Sequence, residues 1–309
     1  MAGRITLLSG GVGGAKLALG LYTVSAPEEL TVIANGGDDL ELFNLRICPD
    51  SDILAYTLAG QVNEPGGWGI RDDSFHALER VRQLGGTGWF NLGDTDLGLH
   101  LFRSELLRQG VGLAEVTRRI AEKLGLKCRL LPMCEQPVST RLATEEGQLQ
   151  LQEYLVKRRA EPVLHSVHFD GIEQATPAPG VPEALAEAAM IVIAPSNPLI
   201  SIAPILAVPD MRRMIREARG LKVAVSPIVG GKSLKGPSDK MLAELGYAVS
   251  PVTVAELYRD FLDVFVVDEQ DAACMEEVEG MGLRCVAAPT VMKDLACKQA
   301  LAAALLALL

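Results

Sequence analysis

The opening forty residues constrain the fold more than any other stretch. The run ITLLSGG (5–11) is continuously apolar and ends in glycines, as a strand buried on both faces does. AKLALGLYTV (15–24) has helical character, and TVIANGG (31–37) is a second buried strand. Strand, glycine-rich turn, helix, strand is the start of a βαβ unit, which calls for a parallel sheet with helices on its faces. The second half alternates in the same way. AMIVIAP (189–195), KVAVSPIVG (222–230), YAVSP (247–251), DVFVVDE (263–269) and RCVAA (284–288) read as strands. Between them PDMRRMIREAR (209–219), residues 238–245, VAELYRDFL (254–262) and a segment from Asp271 read as helices, and a C-terminal helix carries the apolar tail.

The middle differs. From Ser51 to Leu126 the pattern is mostly helical, with Leu97, Leu101, Phe102, Leu106, Leu113, Val116 and Ile120 recurring at three- and four-residue steps. CRLLPM (128–133), TRLAT (140–144), QLQLQEYLV (148–156) and residues 164–171 then look like short strands around the turn Glu145-Glu146-Gly147. Pro177, Pro179, Gly180 and Pro182 mark a stiff return. The expectation is α/β: one doubly wound, mainly parallel sheet over residues 1–309. It carries a helical insertion at about 51–126 and a small antiparallel β insertion at about 127–180. At 309 residues the chain is long enough to bury a sizeable core.

Charge and cysteine usage narrow the functional classes. Lys plus Arg number 29 against 39 Asp plus Glu, a net charge of −10. That balance speaks against nucleic acid or an anionic membrane as partner, because a phosphate backbone needs a basic surface. Six scattered cysteines form no CxxC pair, and the four histidines (76, 100, 165, 168) sit far from them in sequence, so neither a zinc site nor a redox dithiol is expected. The histidines are assigned to surface or packing. No signal peptide is read at the start, and the apolar tail (300–309) is half the length of a membrane helix; a cytoplasmic setting is expected.

Ser9-Gly10-Gly11-Val12-Gly13-Gly14-Ala15-Lys16 joins the first strand to the first helix. Glycines let a backbone approach an anion closely, and a helix N-terminus presents unpaired N–H groups to it. Lys16 opposes the helix dipole there, which favours a ligand-facing role. A Walker loop is absent, since Ala15 separates Gly14 from Lys16, and Lys16 occupies the third-glycine position of a dinucleotide fingerprint. The bland alternative is a tight strand-to-helix turn.

Asn35-Gly36-Gly37-Asp38-Asp39, Cys48-Pro49-Asp50-Ser51-Asp52 and Asp94-Thr95-Asp96 place carboxylates in short pairs at strand ends and helix starts. Each alone reads equally as a turn or cap. Together with a glycine phosphate loop they suit metal-assisted chemistry on a diphosphate, with Mg²⁺ shared by two carboxylates. Ser196 and Asn197 in APSNP could read a base or ribose. Lys232 and Lys235 could face phosphates, against ordinary solvated lysines.

In order and spacing, SGGVGGAK (9–16), NGGDD (35–39), CPDSDILAYTLAG (48–60), WGIRDDSF (68–75) and WFNLGDTDLGLHLFRSELLRQG (89–110) resemble the 2-phospho-L-lactate transferase family of deazaflavin coenzyme F-420 biosynthesis. LLPMCEQPVSTRL (130–142), APSNPLISI (194–202), VAVSPIVGG (223–231) and YRDFLDVFVVDE (258–269) extend the resemblance over nearly the whole chain. The resemblance implies a Rossmann-like core and a Mg²⁺-dependent transfer. A GDP-linked three-carbon acid donates its phosphorylated acid part (phospholactyl, phosphoenolpyruvyl or phosphoglyceryl) to the hydroxyl of 7,8-didemethyl-8-hydroxy-5-deazariboflavin, and GMP leaves.

Carried over residue by residue, Gly10, Gly11, Gly13, Gly14 and Lys16 become the nucleotide diphosphate cradle, with Ser196 and Asn197 in the nucleotide pocket. Asp38 and Asp50 become catalytic and metal positions, with Asp52 as a further metal ligand and Asp39 a weaker match. Asp50, Asp94 and Thr95 fall on the acceptor side, where family members commonly carry Arg in place of Thr95; Arg71 and Arg103 are the alternative sources of that charge. Trp68, Trp89 and Phe90 are candidates for an apolar slot. A homodimer is expected by analogy and from the apolar tail. Two rival readings stay open: a nucleotide-sugar-binding regulator without turnover, similar to the gluconeogenesis factor family, and a nicotinamide-dependent oxidoreductase, against which Lys16 speaks.

Overall fold

A computed structural model describes residues 3–63 and 66–309. In chain order, β1 (Ile5–Ser9) passes through α1 (Gly11–Val24) to β2 (Leu30–Ala34). The hairpin β3 (Leu40–Leu42) and β4 (Leu45–Ile47) precedes α2 (Pro49–Leu58), α3 (His76–Gln83), α4 (Asp94–Arg108) and α5 (Leu113–Lys123). β5 (Arg129–Pro132) is followed by β6 (Ser139–Thr144), β7 (Gly147–Gln150) and β8 (Leu164–Asp170). Next come α6 (Val181–Glu187), β9 (Met190–Ile193), α7 (Ala203–Ala207), α8 (Met211–Glu217), β10 (Leu221–Val225), β11 (Ile228–Val229) and β12 (Lys232–Ser233). The chain closes with α9 (Ser238–Glu244), α10 (Pro251–Tyr258), β13 (Val264–Asp268), α11 (Met275–Glu279), β14 (Arg284–Ala288) and α12 (Leu295–Leu306).

Among the described residues, seven parallel strands form the main sheet in the order β14-β13-β10-β9-β1-β2-β5. Every residue of β1, β2, β9 and β13 is buried, which is why these segments read as unbroken apolar runs rather than alternating ones. Leu8, Ile33, Ile193, Ala224 and Phe265 point to one face, under α6, α8 and α10. Leu7, Val32, Val192, Val223 and Val266 point to the other, under α1, α2 and α12. With both faces covered, the sheet is doubly wound. The chain leaves β1 in one direction through β2 and β5, then returns beside β1 as β9 and continues the other way. The strand order therefore reverses between β1 and β9, and open α/β sheets bind ligands at the carboxyl ends of such a pair.

Three expectations change. The sequence pattern groups β5 with the β-rich insertion, but the strand pairs in parallel with β2 at the sheet edge. The antiparallel insertion is β7-β6-β8 alone. Residues after Gln150 do not continue as strand: Leu151 and Tyr154 are both buried, three residues apart, on a turn that becomes π-helical at Glu153–Lys157. YAVSP forms no strand; Ser250 instead caps α10 by accepting from Thr253 N. The apolar tail is a packed helix, with Leu301, Ala302 and Leu305 buried against the α1 side of the sheet. Among the described residues no helix is long and apolar enough to cross a membrane.

Candidate active site

A cavity of about 900 Å³ opens at the switch point. Its floor includes Gly10–Gly13 after β1 and Pro195–Asn197 after β9. The glycines are there because side chains would not fit. A Cβ on Gly10 would lie 2.7 Å from Asp50 Oδ2 and 2.8 Å from Ser201 Cβ, and one on Gly13 would run into the Pro195 carbonyl. Gly11 has φ +65°, a conformation that favours glycine. Gly10 is the N-cap of α1 and brings no side chain to cap its amides. Gly14 lies below, against Ser9 and Ser196, and Ser196 Oγ donates to Gly10 O at 2.7 Å.

The aspartate pairs divide. Asp38 and Asp50 line the cavity and are both buried. The Asn35 amide ties them together, with Nδ2 donating to Asp38 Oδ1 at 2.7 Å and Asp50 Oδ2 at 2.9 Å. Asn35 stands at the end of β2 and is fully buried; it lies inside the NGGDD segment yet carries no sequence signal of its own. Asp50 also accepts from Gly11 N at 2.7 Å. Burial pushes the Asp50 carboxyl up to about 6 despite these bonds. Burial first, and then the Asp50 charge, hold Asp38 well above the ordinary carboxylate range.

Their neighbours are turned to cations. Asp39 Oδ2 accepts from Arg46 Nη2 at 2.8 Å and from Cys48 Sγ at 3.1 Å. Both oxygens of Asp52 accept from Arg103, which is buried and held strongly cationic. Asp52 touches the cavity, but the buried ion pair rather than an open ligand position is what its oxygens make.

Asp94 and Thr95 do not line the cavity. Asp94 caps α3, accepting from His76 N and Ala77 N at 3.0 Å each and from Ser74 Oγ at 2.6 Å. Asp73 does the same for α4, accepting from Thr95 N at 2.8 Å and Asp96 N at 3.1 Å. It is Asp96, two positions along the helix from Asp94, that reaches the cavity. Asp96 Oδ1 accepts from Tyr56 Oη at 2.6 Å and lies 3.3 Å from His100 Nε2. His100 and Tyr56 also line the cavity, a role that their place in the sequence does not signal. Arg71 donates to the Gly60 carbonyl and Arg103 is held by Asp52, and neither lines the cavity.

Lys16 lines the cavity, donating to Met292 O at 3.0 Å. Burial, then the charges of Lys235 and Lys298, lower its pKa, so an anion beside it would relieve the crowding. Lys235 shares the cavity, and Lys232 does not. Asn197 lines it as well, while its Oδ1 caps the turn Pro198–Ile202 by accepting from Leu199 N at 2.9 Å. Trp68 and Phe90 are lining residues; Trp89 stacks edge-on against Phe90 instead, 5.6 Å between centroids.

Comparison with known proteins fits this geometry. The family described as 2-phospho-L-lactate transferase CofD matches over residues 5–300. The phosphoenolpyruvate transferase of Streptomyces griseus is 43% identical, covering 97% of this chain and 96% of its own. The 2-phospho-L-lactate transferase of Methanosarcina mazei is 39% identical, covering 93% and 94%. Among solved structures, a UPF0052 family protein from Bacillus halodurans has a TM-score of 0.64 at 16% identity over 99% of each chain, a likeness of fold alone.

Proposed function

The chain belongs to the 2-phospho-L-lactate transferase CofD family, and from that premise we propose how its own cavity performs the transfer. The donor is a GDP-linked three-carbon acid, and the acceptor is the hydroxyl of a deazariboflavin. The observation that carries this reading is the buried pair Asp38–Asp50, joined by Asn35 at the mouth of the glycine helix and facing a cavity with room for a nucleotide and a flavin-like ring.

Asp38 and Asp50 suit Mg²⁺. Burial raises both carboxyls, with the Asp50 charge adding to the effect at Asp38, and a divalent cation beside them would offset that burden by favouring their charged forms. When bound, Mg²⁺ supplies charge neutralisation on diphosphate oxygens. The amides of the Val12–Gly13 turn and Lys16 face the same anion from the protein side.

In the step, the acceptor oxygen forms a bond to the phosphorus that carries the three-carbon acid. The bond from that phosphorus to the bridging oxygen breaks, and GMP leaves with the oxygen. The hydroxyl proton passes to Asp50, the cavity-lining carboxylate at the start of α2. Positioning does most of the remaining work, as in other phosphoryl-type transfers.

The relatives named above divide between phosphoenolpyruvate and 2-phospho-L-lactate donors, and the greater identity to the Streptomyces protein supports phosphoenolpyruvyl as the first acid to test. The test is a fluorescence titration of the deazaflavin, with and without GDP and Mg²⁺. Saturable binding that responds to GDP supports the transferase. Nucleotide binding with no acceptor binding would replace it with the non-catalytic nucleotide-binding regulator.

A further inference from the structure

Beneath one end of the cavity runs a line of buried polar groups that the transfer step above does not use. Tyr56 of α2 donates to Asp96 Oδ1 at 2.6 Å. His100, one helical turn beyond Asp96 on α4, is 1% exposed and places Nε2 3.3 Å from the same oxygen. On its other side, His100 Nδ1 lies 3.1 Å from Arg103 Nη1. A guanidinium can only donate, so Nδ1 is the acceptor and the ring proton sits on Nε2. Arg103 is itself fixed by both oxygens of Asp52. The tautomer of His100 is thus set by the Arg103–Asp52 ion pair.

The consequence is an unfinished hydrogen-bond arrangement on the cavity wall. His100 Nε2 is buried and, among the described residues, has no aligned acceptor. Asp96 Oδ2 makes no hydrogen bond among the described residues, while Asp96 and His100 both line the cavity. A ligand group completing both must accept from the imidazole N–H and donate to the carboxylate. A neutral hydroxyl does both. A phosphate or carboxylate oxygen cannot donate, and would face the Asp96 charge.

We propose that Asp96 and His100 form a subsite for a hydroxyl of the acceptor other than the one that reacts. This rests on the transferase reading. Its placement follows from α2, which carries Asp50 in its first turn and Tyr56 six residues later, about 9 Å along the axis at 1.5 Å per residue. A polyol chain lying along that helix presents its reacting hydroxyl to Asp50 and another hydroxyl to the Tyr56–Asp96 end. Asp96 and His100 bind and orient; Arg103 and Tyr56 are positioning residues for them.

The experiment compares the full-length wild type with Asp96→Asn, using deazaflavin fluorescence and, separately, GDP binding. Asp96→Asn should weaken acceptor binding about tenfold or more, the worth of a hydrogen bond to a charged group. KM for the acceptor should rise with it, GDP affinity should stay unchanged, and kcat should move much less than KM. Tyr56→Phe, which removes one hydroxyl and keeps the ring, should give a smaller loss of the same kind and covers the case where Asp96→Asn folds poorly. An acceptor analogue that keeps only its terminal chain hydroxyl should bind wild type and Asp96→Asn alike. Wild-type affinity in Asp96→Asn, or an equal loss of GDP binding, would overturn this subsite alone. Absence of acceptor binding by wild type would overturn the functional reading and the subsite with it.

Discussion

Gly11 donates its amide to Asp50 Oδ1 at 2.7 Å, so the first turn of α1 and the first turn of α2 meet through one carboxylate. The other oxygen of that carboxylate accepts from Asn35. Asp50→Asn keeps the shape but sets an NH₂ group against one of these two N–H donors, and it removes the base. Turnover, followed as GMP release, should fall by on the order of 10²-fold or more. Turnover near wild type would remove Asp50 from the proton-transfer role.

The same carboxylate carries a pH signature. Its folded pKa, about 6, lies above the unfolded value of 3.8. The folded state therefore holds the proton more tightly, and stability from this group is present below the unfolded pKa and lost as pH rises through the folded one. A difference of that size between the folded and unfolded carboxyl is worth about 3 kcal/mol at most. In metal-free protein, wild type minus Asp50→Asn should lose stability between about pH 4 and 6, and Mg²⁺ should restore part of the loss in wild type at pH 7. Chemical denaturation across that range reads both; a flat difference would mean that the carboxyl is not burdened by its burial.

Much of this was legible in the sequence, for reasons that local pattern can carry. β1, β2, β9 and β13 are buried apolar runs, and glycines after β1 and β2 and proline after β9 help to mark their ends. The misplacing of β5 has a different cause: its partner is β2, about a hundred residues earlier, and spacing along the chain says nothing of that pairing. The hairpin β3–β4 has no strong signature, because Phe43 and Asn44 both adopt positive φ and only Asn44 is a turn signal. In the site, the glycine loop and the aspartate pairs are visible as types. Which member of each pair is left without a cationic partner is not, since that is decided by Arg46 and Arg103, from β4 and α4, taking Asp39 and Asp52. Asp94 is misleading in a similar way: it looks like an acceptor residue, while Asp96 two positions on reaches the cavity.

Arg103 and Asp52 are both buried, and each is the other's main neutraliser. Arg103→Met leaves Asp52 without its charge partner and should cost about 3–5 kcal/mol in urea denaturation. Adding Asp52→Asn should recover a large part, since the burden is an unpaired buried charge rather than a lost attraction. Losses that simply add would show that the two side chains act independently.

Two glycines in helices should respond oppositely to alanine. Helix propensity alone favours alanine by roughly 1 kcal/mol at either. Gly98 in α4 has nothing within 4 Å of a new Cβ, so Gly98→Ala should be stabilising by up to about that amount. Gly13 in α1 has the Pro195 carbonyl where the Cβ would go. That atom belongs to the backbone following β9 and cannot swing aside as a side chain would, so relief requires α1 and the β9 loop to separate. Gly13→Ala should therefore lower the melting temperature and weaken GDP binding together, because the contact it breaks is the seam of the switch point. A Gly13→Ala protein as stable as Gly98→Ala would mean that the helix and the loop have slack between them, and that the glycine is kept for the ligand alone.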